Sequence, residues 1–211
     1  MSRTGRAQMT VVATVAGAPV PVGEVDAREA ALRSGSRAAA LPASGTSEGR
    51  QLRRWLTQLI VTERMVAAEA AARGLAAGQA PSEADLLPDV TARLEIGSVA
   101  AAALADPRAR ALFVEITADV DVADDDVADY HARNPLRFAS PRPGPHGWRT
   151  PPDVGPPLEQ VRSAIAEQLR GAARRRAFRM WLDARRAALV QLAPGYEHPG
   201  DPRQPDNTHR H

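Results

Sequence analysis

Gln51 to Leu75 reads QLRRWLTQLIVTERMVAAEAAARGL, and the rest of the chain is organised around this segment. Its apolar residues recur at steps of three and four, which is the period of one stripe along an amphipathic helix. Ser47 stands where an N-cap is expected, and Gly74 permits the turn at which a helix ends. The segment therefore predicts one long helix whose apolar face needs a partner surface. The stripe consists of Leu52, Trp55, Leu56, Leu59, Ile60, Val66, Ala67 and Ala70.

Two segments near the chain ends are the expected partners of this helix. Thr10 to Val22 predicts a short β-hairpin, because its valines favour a strand, Gly17 permits a tight turn and the prolines suit an edge strand. Leu158 to about Leu189 carries a second long apolar stripe and predicts a long C-terminal helix. We therefore expect a mostly α fold with a small β-hairpin near the N-terminus. Further helices are predicted over Val25–Leu32, Asp89–Ala105, Arg108–Ala118 and within Val120–Phe138.

Two proline-rich stretches divide the chain. Ala139 to Pro157 is too rich in Pro and Gly for a helix or a central strand, so it predicts a connector. The tail from Pro194 to His211 has a similar composition and predicts an extended segment. We expect one helical domain over residues 1–193, with residues 139–157 as its connector and residues 194–211 outside it.

The composition excludes several functions. Of the 211 residues 44% are hydrophobic and only 4% are aromatic, which suits helix packed on helix. The formal net charge of +2 gives no strong field for a nucleic acid, so no nucleic-acid partner is expected. The chain has no cysteine, which removes disulfides and thiol chemistry.

No nucleophile elbow, phosphate loop or His-Glu-x-x-His motif is present, so neither an enzyme nor a cofactor is expected.

The apolar segments are too short for a membrane protein. No run of 18 apolar residues occurs, and we therefore expect no membrane partner. Thr10 to Ala18 is too short and too interrupted for the core of a secretory signal. The expected compartment is the cytoplasm.

Four segments, in this order, resemble the SurA and PrsA type of parvulin-linked foldase. Val12 to Arg28 is similar to the opening strand, turn and start of the first helix in that family, and Leu52 to Leu75 to a helix that ends in Gly-Leu. Val120 to Phe138 resembles the acidic helix that enters the isomerase domain. Leu158 to Ala187 resembles the helix that leaves that domain. The segments read VATVAGAPVPVGEVDAR, LRRWLTQLIVTERMVAAEAAARGL, VDVADDDVADYHARNPLRF and LEQVRSAIAEQLRGAARRRAFRMWLDARRA.

The chain departs from this family where the parvulin domain would stand, because only the connector Ala139 to Pro157 lies there. The resemblance therefore implies a SurA N-terminal-like helical module without prolyl isomerase activity. It also implies that both chain ends fold together into a cradle for apolar polypeptide segments. The implied partner is an unfolded or partly folded client polypeptide or a dedicated partner protein, and the oligomeric state is left open.

Five large apolar residues are candidates for contact with a client. Such residues more often form a protein core, and those that are exposed would mark the groove. The five are Trp55, Leu59, Tyr130, Phe178 and Trp181.

Three polar clusters admit a functional and a structural interpretation. The acidic run from Asp119 to Asp129 lacks the Gly and Glu of a calcium loop, which favours a helix N-terminus. The arginines at positions 174, 175, 176 and 179 could hold phosphates, but a solvated face whose stems cover apolar surface is favoured. His198, His209 and His211 are weak candidates for a metal site, against an unpacked tail. The alternative hypothesis is therefore an accessory or metal-handling protein whose histidine-containing C-terminal tail is the functional part.

Overall fold

The structure is a computed structural model that describes residues 10–36, 38–139, 142–143, 149–150, 154–198 and 201. These residues are mostly helical, with a small antiparallel sheet near the N-terminus and a long C-terminal helix, as the sequence predicts. In chain order the elements are β1 (Val11–Val15), β2 (Ala18–Pro21), α1 (Val22–Arg33), α2 (Ser47–Ala72), α3 (Glu83–Leu86), α4 (Val90–Ile96), α5 (Ser98–Ala103), α6 (Pro107–Ile116), α7 (Asp124–Arg133), β3 (Arg142–Pro143), β4 (Arg149–Thr150), α8 (Leu158–Leu189) and β5 (Val190–Leu192). Single 3-10 turns lie at Ala38–Ala40 and Ala77–Gln79.

The sheet joins the two ends of the chain. β1 pairs antiparallel with β2 on one side and with β5 on the other. Ala16 and Gly17 connect β1 to β2 with φ angles of 48° and 81°, which is the left-handed geometry of a tight hairpin turn. β5 follows α8 directly and pairs Val190 with Val15. The chain ends therefore meet as predicted, but the sequence analysis did not identify β5.

α2 is the central helix, and its boundaries differ slightly from the prediction. Thr46, and not Ser47, is the N-cap, because its hydroxyl accepts a hydrogen bond from the Gly49 amide at 3.0 Å. Gly74 follows the helix with φ of 66°, the conformation in which helices commonly end. β1, α1, α5, α6 and α8 all pack against α2.

One cluster of buried apolar residues forms the core of the molecule. We call the region that is packed around this cluster the body. Aromatic rings contact one another in it: the centroids of the buried Phe113 and Phe178 are 5.1 Å apart, and the half-buried Trp181 stacks on Phe178 at 5.6 Å. The largest buried members of the cluster are Val12, Val20, Leu56, Ile60, Met65, Ile96, Leu104, Leu112, Phe113 and Phe178.

The predicted helix over Asp89–Ala105 is divided at Gly97. This glycine has φ of 89°, so α4 ends and α5 begins there. The break allows the two short helices to run in different directions over α2 and α8. Before α4, Ser82 and Asp85 form the predicted capping box, in which each side chain accepts from the other residue's amide.

α7 and the first half of α8 form a second region, which we call the arm. Asp124 is the first residue of α7 and Ala123 its N-cap, one residue earlier than predicted. The helix ends at Asn134 before Pro135, as expected. The acidic run therefore begins a helix, which is the structural interpretation favoured above.

The connector contains more structure than predicted. β3 and β4 pair antiparallel, Arg142 with Thr150 and Pro143 with Arg149. The sequence analysis found no strand pattern in this segment, because two-residue strands leave no periodicity to detect. The sequence analysis excluded a helix and a central strand in the connector, and it did not identify this short separate pair.

Among the described residues, no helix combines the length and the apolar content that crossing a membrane requires.

Candidate functional site

The five predicted contact residues do not line one groove. Leu59 and Phe178 are 6% and 1% exposed and belong to the interior. We therefore remove both from the candidate site, because a client cannot reach them in this conformation. Leu59 on α2 and Phe178 on α8 are buried because each lies on the side of its helix that packs against the rest of the protein.

The three remaining aromatic residues are half-buried and lie in two regions. Trp55 donates its indole N–H to the Ser98 hydroxyl at 3.1 Å, and Trp181 stacks on Phe178, both in the body. Tyr130 lies in the arm, where its hydroxyl accepts from the Gln168 amide at 2.8 Å. These contacts stabilise the fold. Of the three, Trp55 is connected to the cleft described next through Ser98.

A cleft of about 340 Å³ lies between α2, the α4–α5 junction and α8, and we call it the α2–α8 cleft. Met65, Ile96 and Leu182 form its apolar wall and are nearly fully buried. Leu94 stands at the mouth and is 74% exposed. Val90 precedes Leu94 by one helical turn and is 70% exposed, so the two residues share one face of α4. Leu94 lines the cleft, whereas Val90 lies beside it without lining it, and we call these two exposed residues the rim.

Charged residues of α8 also line the cleft, on the same helix face as Leu182. Arg179, Asp183 and Arg186 recur on α8 at steps of four and three, so they follow one face of that helix. Arg179 also donates to the Glu95 carbonyl at 3.4 Å, and His198 approaches from the tail. A cleft lined by both apolar and charged side chains can accept a segment that is partly apolar and partly charged.

The predicted arginine cluster divides between the core and the surface. Arg175 is only 8% exposed and donates to the Glu95 carboxylate at 2.8 Å and to the Leu86 carbonyl. Arg174 donates to the Thr117 hydroxyl and lies 5.6 Å above the Phe113 ring. Arg176 and Arg179 are exposed. The four guanidinium groups therefore do not converge on one phosphate site.

The first part of the tail is bound to α2 by buried polar side chains. Arg54 donates to the Gly195 carbonyl at 3.1 Å, and Gln58 donates to the Tyr196 carbonyl at 2.8 Å. Arg54 and Gln58 are 7% and 0% exposed, and Tyr196 packs against the core cluster. These bonds bring His198 to the edge of the α2–α8 cleft.

The metal hypothesis concerns residues that are mostly outside the described part of the chain. His209 and His211 lie outside the described residues. Within the described ranges, no group of three or more His, Asp or Glu residues is arranged to hold a metal ion. Burial and the charge of Arg186 lower the pKa of His198, while Asp183 and Asp201 oppose that shift. The metal hypothesis therefore stays a prediction.

The sequence analysis missed Val90, Leu94 and Arg186 as candidates for the site. The spacing of Val90 and Leu94 was a usable signal, because they lie out of phase with the buried Ala92 and Ile96 on the same helix. The sequence around Arg186 does not indicate a binding site, because the surroundings of this side chain depend on how α8 packs.

Comparison with known proteins adds one partial match. The model of a family of unknown function (DUF7158) matches residues 11–48. This match covers β1, β2, α1 and the start of α2, and it stops short of the cleft residues on α4 and α8. No curated protein matches the chain, and no solved structure matches it. The resemblance to the SurA and PrsA foldases therefore stays a prediction from the sequence.

Proposed function

We propose that the protein is a chaperone-like module that binds apolar segments of a client polypeptide in the α2–α8 cleft, without prolyl isomerase activity. The observation that carries the proposal is the exposed apolar rim of Val90 and Leu94 beside a partly apolar cleft. Burial of apolar area stabilises a complex by roughly 25 cal/mol per Å², before the cost of ordering the bound segment.

The way the cleft is built also supports the proposal. Its walls come from α2, α4, α5 and α8, and β5 joins the end of α8 to β1. The sheet and the core therefore hold the walls in place, while the rim residues make few contacts of their own. A preformed cleft with an unoccupied apolar rim binds at a smaller entropic cost than a surface that must first become ordered.

A reduced-insulin assay tests the proposal directly. Dithiothreitol releases the insulin B chain, which aggregates, and it leaves this cysteine-free protein unchanged. We expect the protein to suppress light scattering, and we expect the Val90→Ser/Leu94→Ser double variant to need at least about three-fold more protein for the same effect. Both residues are exposed, so the melting temperature should not change detectably.

Val154→Ser is the matched control. Val154 is 75% exposed and does not line the cleft, so the change removes an exposed valine elsewhere and matches the Val90→Ser half of the double variant. Equal loss of protection in the control and the double variant would show that general surface hydrophobicity, and not this rim, holds the client. No protection by the wild-type protein would refute the proposed function.

Two further measurements address the other parts of the proposal. A protease-coupled prolyl isomerase assay should read at background, and measurable turnover would contradict the proposed lack of isomerase activity. His209→Ala/His211→Ala in the full-length chain should protect insulin as well as the wild type does. Loss of protection together with loss of tight Zn²⁺ binding would favour the metal-handling alternative.

A further inference from the structure

Arg186 differs from most arginines of α8, because it is half-buried and its guanidinium has no hydrogen-bond or ion-pair partner among the described residues, whereas Arg176, which shares that lack of a partner, is exposed. Its neighbour Arg185 pairs with the Glu69 carboxylate, and Arg175 pairs with Glu95. Arg186 is half-buried at the α2–α8 cleft, yet its guanidinium makes no hydrogen bond or ion pair with any described residue, and Asp183 acts on its charge only through space. A partly desolvated cation without such a partner is costly, which favours a partner supplied by a ligand.

The nearby carboxylates do not neutralise this charge. Burial lowers the pKa of Arg186 from its ordinary value, and the charge of Asp183 offsets only part of that shift. The pKa of His198 is lowered by burial and by repulsion from Arg186, despite the opposing charges of Asp183 and Asp201. Arg186 therefore stays a partly buried cation at the cleft, next to the single carboxylate of Asp183 on its own helix.

The geometry of α8 limits what can bind there. Arg179 and Arg186 are seven residues apart, which places them about 10 Å apart along the helix axis, with Asp183 between them. An extended chain covers that distance in about three residues, so a segment passing through the cleft can meet both arginines. The carboxylate of Asp183 repels a doubly charged anion such as phosphate more strongly than it repels a single carboxylate.

We propose that the α2–α8 cleft takes an acidic side chain within an apolar segment of the client, and that Arg186 pairs with its carboxylate. This inference rests on the proposed function and names the chemistry of the bound segment. Leu94 at the mouth, together with Met65 and Leu182 on the wall, contacts the apolar residues on either side of the acidic one.

Peptide binding measured by fluorescence anisotropy tests this inference. The probes are three apolar ten-residue peptides with fluorescein at the N-terminus. The first has one central Glu and an amidated C-terminus, the second has Gln in place of Glu, and the third is the Gln peptide with a free C-terminal carboxylate. We expect the wild-type protein to bind the Glu peptide about five-fold more tightly than the Gln peptide.

Two charge-removing variants on the same helix locate the effect. Arg186→Gln should bind the Glu and Gln peptides equally, and its melting temperature should not fall, because within the described part of the chain the guanidinium makes no hydrogen bond or ion pair that would be lost. Arg176→Gln is the control, because Arg176 is exposed and does not line the cleft. It should keep the preference for Glu.

The outcomes separate this inference from the proposed function. Equal binding of the Glu and Gln peptides by the wild type would overturn the acidic recognition and leave apolar binding intact. Two other results would also overturn it. One is that the wild type prefers only the Gln peptide with a free C-terminal carboxylate, and the other is that Arg186→Gln still binds the Glu peptide more tightly than the Gln peptide. Failure of all three peptides to bind would count against the proposed function itself.

Discussion

The two halves of α8 are stabilised by different interactions. The second half contributes Phe178 and Leu182 to the main hydrophobic cluster. The first half packs on α7 in the arm, where Ile165 and Val127 are buried but lie outside that cluster. One continuous helix therefore connects a well-packed body to a thinner region.

Polar contacts account for much of the arm. Arg162 reaches Asp124 at 3.2 Å, Arg170 reaches Asp121 at 2.9 Å, and Gln168 donates to Tyr130. The two ion pairs are exposed, and exposed pairs add little to stability. The comparison indicates that the α2–α8 cleft belongs to the rigid body, and that the arm can open locally without disturbing it.

The largest effect is expected from Phe178→Ala in the body. Removing this ring leaves a cavity between Phe113 and Trp181 and should lower the free energy of unfolding by about 4 kcal/mol. Met180→Ala is the control, because Met180 is 66% exposed two positions along the same helix, and it should cost less than about 0.5 kcal/mol. Urea denaturation followed by circular dichroism measures both. Equal costs would contradict the placement of Phe178 in the core.

Ile165→Ala should produce a smaller and more local effect. Ile165 is fully buried in the arm, so its truncation should cost about 2.5 kcal/mol of local stability. Hydrogen exchange should accelerate in Asp124–Arg133 and stay unchanged in Ser47–Ala72. If both helices exchanged faster to the same degree, the arm and the body would unfold as one unit.

Arg175→Gln and Arg170→Gln make the same chemical change in the second and the first half of α8, respectively. Arg175 is buried and hydrogen-bonded to Glu95 and Leu86, so its replacement should cost about 2 kcal/mol. Arg170 pairs with Asp121 at the surface, so its replacement should leave the melting temperature unchanged within error. Thermal denaturation of both variants tests the difference, and the reverse order would contradict the division of α8.

Acid should destabilise the body through Glu29, which is 7% exposed and lies on α1. Burial alone would raise its pKa, but hydrogen bonds from Arg33 and Arg53 hold it below the ordinary value of 4.5. The ionised carboxylate therefore adds stability above pH 4.5, and this contribution is lost as the pH falls through the lower folded-state pKa. Unfolding free energies at several pH values should fall less steeply for Glu29→Gln, and parallel slopes would contradict this role.

Local rules predicted much of the fold. The bounds of α8, the hairpin turn at Gly17 and the capping box at Ser82 each depend on neighbouring residues, and all were recognised, whereas the helix predicted over Asp89–Ala105 is two helices divided at Gly97. β5 was missed because its three residues become a strand only by pairing with β1. The same is true of Gln58, whose partner Tyr196 is 138 positions away.

The candidate site was harder to predict than the fold. Periodicity shows that a helix has two faces, but it does not say which face a neighbouring helix covers. Leu59 and Phe178 were therefore taken as contact residues although the core covers them. Leu94, which has the same apolar character, is left at the mouth of a cleft.

Photo-crosslinking to the insulin B chain tests the central claim most directly. A benzoyl-phenylalanine at position 94 would replace an exposed residue at the rim of the α2–α8 cleft, and one at position 154 would serve as the control. Our account predicts that position 94 crosslinks to the reduced B chain and that position 154 does not. Equal crosslinking at both positions, or none at position 94 while aggregation is still suppressed, would contradict binding in this cleft.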